Sequence, residues 1–278
     1  MTYRDILVQI DAKAGRSRYA IATDLAARAG GLATGVFLRT TLINQYNNIS
    51  AIAYLPPIDL DRIISEHNAG QDQAASASAA QLAAVASARK VTFTTRTLCG
   101  DIPDDLIAEA RRADLVILPP PSSAPDYNVH ASPVDVCLAA GGPVLVVADD
   151  YVGERIGARP LIAWNGSREA ARALRDALPL FDAGAAVEVR IARHRDALTD
   201  DADPIRRHLE CHGLSANVVS VVDEGQSISD WLRGEAKAAG CDLIVMGLYG
   251  HTRLQEFVLG GVSHGMLHAP ALPLLISH

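Results

Sequence analysis

The feature that most constrains this chain is that it is one unit written twice. Near the start of each half lies a short apolar run, Asp5–Ile10 and Pro160–Trp164, and each reads as a strand. A polar turn and an alanine-rich helix follow in both cases, over Ser17–Ala29 and Ser167–Leu178. A second strand comes next, Leu32–Leu38 and Ala186–Ala192. Further on, Gly100–Ala110 parallels Gly225–Ala236, and both run into an apolar strand, Asp114–Leu118 or Asp242–Met246. Both halves close on a similar run, Pro143–Val147 and Pro273–Ser277. The polar stretch Asp149–Arg159 reads as the linker.

With 278 residues the chain is long enough for two domains of roughly 150 residues each. Alternating strands and helices predict an α/β fold: two doubly wound, Rossmann-like domains in tandem, each with a five-stranded parallel sheet and helices on both faces. The boundaries fall at 1–148 and 158–278. In such sheets ligands bind outside the carboxyl ends of the strands, where the strand order reverses. With the order 3-2-1-4-5, strands one and four are neighbours there. In the second half Asn165 leaves strand one and Gly247 leaves strand four.

The exit of that fourth strand is rich in glycine. Gly247 and Gly250 are followed, after nine residues, by Gly260-Gly261-Val262-Ser263. Glycine lets a backbone turn tightly and approach a ligand without a Cβ in the way. The second glycine pair opens a helical stretch, Val262–His268, which stops before Pro270. Unpaired N–H groups at a helix start suit a phosphate. The spacing is neither a Walker loop, which needs Gly-Lys-Ser/Thr, nor the dinucleotide fingerprint with its closer glycines.

Charge and composition exclude other classes. A net charge of -7 and the lack of a basic aromatic patch argue against nucleic acid. No apolar run reaches the ~20 residues of a membrane span, and the N-terminus has no signal-peptide layout. Cys99, Cys137, Cys211 and Cys241 are scattered without a Cys-x-x-Cys pair, so reduced, mostly buried thiols in a cytoplasmic protein are expected.

The glycine spacing and the repeat resemble the universal stress protein family in its tandem two-domain form. The family motif is Gly-x2-Gly-x9-Gly-Ser/Thr, and here it reads Gly247, Gly250, Gly260 and then Gly261, a glycine at the hydroxyl position. The resemblance implies a pseudo-dimeric chain that binds ATP, or AMP or ADP, with or without Mg. It also implies the site residues. Ala163, Trp164 and Asn165 line the nucleotide after strand one, where the family usually has Asp in place of Asn165. Ile191 borders adenine, and Met246 and Gly247 lie near the ribose. Gly250, Gly260, Gly261, Val262 and Ser263 cradle the phosphates. Family members associate through their last strands, here Pro143–Val147 and Pro273–Ser277, a contact the tandem form makes internally; a further homodimer would use other surfaces. In the first half Pro119 stands where Gly247 does, and proline removes N–H donors. Asp11 survives at strand one, but the loop facing it is lost. One nucleotide site per chain is expected, in the second half.

Each of these residues also has a purely structural reading. The glycines can serve a tight turn with close helix packing, and Ser263 can cap a helix. Trp164 either packs in the core or lies beside a purine. Asn165 can form an Asx-turn leading to Ser167. His208 and His212, and likewise His264 and His268, sit one helical turn apart, but neither pair has a zinc arrangement, and no metal is expected. Ala69–Arg89 reads as a helix with a small-residue face, and Thr41–Pro57 as a long irregular connection, a lid or a partner surface. No catalytic residue emerges, and turnover beyond slow ATP hydrolysis lacks visible machinery. The expected function is therefore ATP binding in a stress response, through conformational or partner control by an unknown protein partner. The alternatives are an adaptor or small-molecule carrier without nucleotide, and a hydrolysing or nucleotidyl-transferring enzyme on a related fold.

Overall fold

The computed structural model describes residues 2–11, 16–40, 57–99, 102–121, 132–193, 202–222, 227–248, 261–268 and 270–278. Among the described residues ten strands form one continuous sheet: β1 (Asp5–Ile10), β2 (Leu32–Arg39), β3 (Thr92–Cys99), β4 (Leu115–Leu118), β5 (Val144–Val146), β6 (Pro160–Trp164), β7 (Ala186–Arg193), β8 (Ser215–Val222), β9 (Leu243–Gly247) and β10 (Leu274–Ser277). Their spatial order is β3-β2-β1-β4-β5-β10-β9-β6-β7-β8, so each half has the expected 3-2-1-4-5 order. Pairing is parallel within each half, and the halves join where β10 lies antiparallel to β5, with Leu275 opposite Leu145. The final strands therefore meet inside the chain, and each covers the other's open edge.

Eight α-helices cover the sheet among the described residues: α1 (Arg16–Ala29), α2 (Pro57–Ala88), α3 (Ile102–Ala110), α4 (Pro133–Ala140), α5 (Arg168–Ala177), α6 (Ala202–Cys211), α7 (Ile228–Ala238) and α8 (Gly261–His268). Side chains alternate across the strands and feed two cores. Ile6, Val8 and Ile10 of β1 and Val245 of β9 pack with α1, α2, α5 and α6 on one face. Leu7, Ile244 and Met246 pack with α3, α4, α7 and α8 on the other. Burial on both faces is why the central strands read as near-continuous apolar runs.

Two aspartates repeat the same device. The carboxylate of Asp114, just before β4, accepts the backbone N–H groups of Arg4 and Asp5 at 2.8 and 3.0 Å. Asp242, just before β9, accepts those of Ala158 and Arg159 at 2.8 and 3.2 Å. Each bond ties the start of a first strand to the start of its fourth and so fixes the register beneath the crevice. The helix expected over Ala69–Arg89 begins earlier, at Pro57. The rest of the connection Thr41–Pro57 lies outside the described residues.

Candidate functional site in the second half

At the reversal of strand order, β6 lies between β7 and β9. Ala163 pairs in register with Met246, and Trp164 with Ile191. The exits of strands one and four thus open side by side, as the sequence predicts. The four side chains divide between the two faces. Met246 and Ala163 belong with the α7–α8 core, which Val262 of α8 also joins. Ile191 is in the α5–α6 core, and Trp164 packs half-buried against it. Met246 and Ile191 are 5% and 3% exposed, so both are core side chains whose contribution to a crevice is its floor.

Local chemistry fixes the loop after β6. Asn165 is exposed, and its Oδ1 accepts the N–H of Ser167 at 3.1 Å, closing an Asx-turn. Ser167 then caps α5 by accepting the Ala170 N–H at 3.1 Å. Burial works against ionisation of Glu169, but its own backbone N–H, Arg168 at 3.0 Å and the field of His278 hold the carboxyl below its usual range. With its Oδ1 engaged, the exposed Asn165 keeps its side-chain amide as a hydrogen-bond donor.

Gly247 pairs with Ser277 of β10 and faces α5. A Cβ there would strike the backbone of Glu169 and Ala170, 2.5 Å from the Ala170 nitrogen. Close helix packing alone therefore demands this glycine. Gly250 and Gly260 lie outside the described residues. Gly261, Val262 and Ser263 form the first turn of α8, with Gly261 exposed and Ser263 buried. A Cβ at Gly261 would meet nothing within 4 Å, so space does not explain a glycine at this position. Helix α8 is seated on α7 at Gly265, where a Cβ would lie 2.6 Å from Ser229 Oγ, and Arg233 donates to the Gly265 carbonyl at 2.7 Å.

The histidine pairs are present as ring contacts. His264 and His268 stack edge-on at 4.2 Å, and His208 and His212 at 4.9 Å. Burial and the neighbouring histidine lower the pKa of His268; burial, His212 and Arg175 lower that of His208. Among the described residues no group of three or more potential ligands gathers around a metal position.

Sequence reasoning missed two buried arginines. Arg190 of β7 is 5% exposed and pairs with Glu188 at 2.9 Å and Glu235 of α7 at 2.7 Å. Its only signal was the alternation Glu188-Val-Arg190 within an apolar strand. Arg18 of α1 is fully buried and pairs with Asp11 and Asp149. Nothing in the sequence around it announced burial.

The universal stress protein family profile matches residues 159–278. A universal stress protein from Archaeoglobus fulgidus aligns over 99% of this chain and 97% of its own, with a TM-score of 0.73 at 15% identity. A Pseudomonas aeruginosa PAO1 protein of unknown function aligns over 99% and 92%, with a TM-score of 0.54 at 15% identity. A proposed universal stress protein from Pseudomonas aeruginosa UCBPP-PA14 gives 99% and 93%, 0.54 and 14%. Among curated proteins none matches this chain in sequence. These structural likenesses carry the fold across both halves, while the sequence match covers the second. The second half thus matches the universal stress protein family profile, and the two halves together share the fold of the Archaeoglobus fulgidus universal stress protein.

Proposed function

We propose that the second-half crevice binds a nucleotide, ATP foremost, and that the protein acts in a cytoplasmic stress response by conformational or partner control rather than by catalysis. The observation that carries this reading is the side-by-side opening of β6 and β9, with Ala163 in register with Met246 and the first turn of α8 packed on the same core. The adenine end would rest near Trp164 and Ile191, and the ribose near Met246 and Gly247. Phosphates would meet the amides of Gly261 to Ser263 at the start of α8, where unpaired N–H groups favour an anion. Asn165 offers a donor without the negative charge of an aspartate, and so adds no repulsion toward phosphate.

A cytoplasmic setting fits four cysteines that all remain free thiols, although only Cys137 and Cys241 are buried and Cys99 and Cys211 are exposed, against the expectation of mostly buried thiols. Among the described residues no helix is long and apolar enough to cross a membrane. Slow hydrolysis is compatible with this site, but no oriented base or cation among the residues placed there calls for it.

A nucleotide bound only by the folded chain stabilises it by mass action. ATP is expected to raise the unfolding temperature, and Gly260→Val to abolish that rise. Trp164 emission should change on titration in a Trp231→Phe background. No shift with ATP, ADP or AMP would overturn the reading. The adaptor alternative is favoured by one observation: Gly247 and Asn165 each have a structural duty that needs no ligand. Mass spectrometry of ligand released from fresh protein separates the two.

A further inference from the structure

In the first half β1 and β4 are likewise neighbours where the strand order reverses, and one of its own side chains links residues just beyond β1 and β5 there. Arg18, in the first turn of α1, is 0% exposed. Its guanidinium pairs with Asp11 at the exit of β1, at 2.9 Å, and with Asp149 just beyond β5, and it donates to the Gln9 carbonyl at 3.4 Å. Strands β1 and β5 are not neighbours, because β4 lies between them. Arg18 thus bridges residues just beyond the carboxyl ends of the two strands that flank β4. The exits of β1 and β4 are the counterpart of the place in the second half where β6 and β9 open.

We propose that Arg18 is a built-in occupant of the first-half crevice, a lock that closes this site and fastens the linker between the halves. A guanidinium stays charged in any protein environment, so its burial needs compensating carboxylates. Asp11 and Asp149 supply them from the water boundary, where their side chains are 29% and 44% exposed. The cation thus sits inside and the carboxylates close over it from two directions, the geometry of a plug. Asp149 opens the linker, and the next contact repeats the grip: Ser17 donates to the Tyr151 carbonyl at 2.6 Å and accepts the Gly153 N–H at 3.2 Å. Two adjacent residues of α1 therefore hold the strap that leads into the second half. The lock does not depend on whether the second-half crevice takes a nucleotide.

The test is amide hydrogen exchange on the full chain, comparing wild type with Arg18→Ala. Exchange at 149–153 is expected to rise by about tenfold or more, because removing one partner leaves uncompensated charge and frees the strap. Added methylguanidinium is expected to restore protection and methylammonium to fail, since only the planar fork spans both carboxylates. Unchanged exchange in folded Arg18→Ala, or equal rescue by both cations, overturns the proposal. Should Arg18→Ala not fold, Asp149→Asn keeps Arg18 paired with Asp11 and releases only the linker end. A selective rise at 149–153 in that variant supports the lock, and no rise or a uniform one overturns it. The thermal shift with ATP reads the second half separately.

Discussion

The α-carbon of Gly247 lies so close to Ala170 that a methyl group placed on it would sit 2.5 Å from the Ala170 nitrogen. The first glycine of the candidate phosphate loop is thus fixed by the first turn of α5 before any ligand arrives. Gly247→Ala should lower stability without nucleotide by about 1–3 kcal/mol, the usual cost of forcing extra atoms into a packed site. Urea unfolding of the ligand-free protein measures it. An unchanged midpoint would mean that α5 yields easily and that the glycine serves the ligand alone.

Asp114 and Asp242 give a second measurement. Each accepts two backbone N–H bonds at the foot of its half. Asp242→Ala should cost about 1–2 kcal/mol, as bonds to a charged acceptor do at a partly exposed site. Amide exchange should localise the loss to β6 and β9, whereas Asp114→Ala should affect β1 and β4. Equal loosening of both halves by either variant would show that the ten-stranded sheet opens as one unit across β5 and β10.

The fold was legible because its central strands are buried on both faces, and such strands announce themselves as apolar runs. Asp5–Ile10 and Pro160–Trp164 match their strands end to end. Strand β3 was not singled out, and its composition explains why: it is an edge strand of mostly exposed threonines, with only Phe93 and Leu98 half-buried. The sequence also placed the β6 and β9 exits together, since register follows from strand order. It did not reveal that Ile191 and Met246 serve opposite faces, which depends on strand parity in three dimensions. Nor could it show Arg18 buried. The carboxylates of Asp11 and Asp149 that make burial tolerable are seven residues and 131 residues away in the chain.

Alkaline pH should expose the energetics of the buried acids. Burial pushes the Cys137 thiol from 9.0 to about 12, and the Tyr19 phenol from 10.0 to about 12. A raised folded-state pKa favours the neutral form in the fold. The stability it lends is full below the unfolded value and is lost as pH climbs through the folded one. Urea midpoints should therefore hold up to about pH 9 and fall progressively toward about pH 12. Cys137→Ala should flatten the early part of that fall, which begins at the thiol's unfolded pKa. An equally steep decline in the variant would assign the loss to the other buried acids, Cys241, whose thiol burial pushes up to about 11, and tyrosines such as Tyr19.

Gly261 offers the sharpest probe of the candidate site. It opens α8, is exposed, and has nothing within 4 Å of the position a Cβ would take. Gly261→Ser therefore introduces a hydroxyl at the start of the helix without a clash. At a helix start serine is well tolerated, so the unliganded protein should keep its stability to within about 0.5 kcal/mol. If phosphates rest against this turn, the new hydroxyl adds one hydrogen bond to a charged group, worth about 1 kcal/mol, and ATP affinity should rise about fivefold by calorimetry. AMP, whose single phosphate reaches less far along the loop, should gain less than ATP. Equal gains for adenosine and ATP would move the hydroxyl's effect away from the phosphates, and no gain for any nucleotide would argue that the first turn of α8 does not face them.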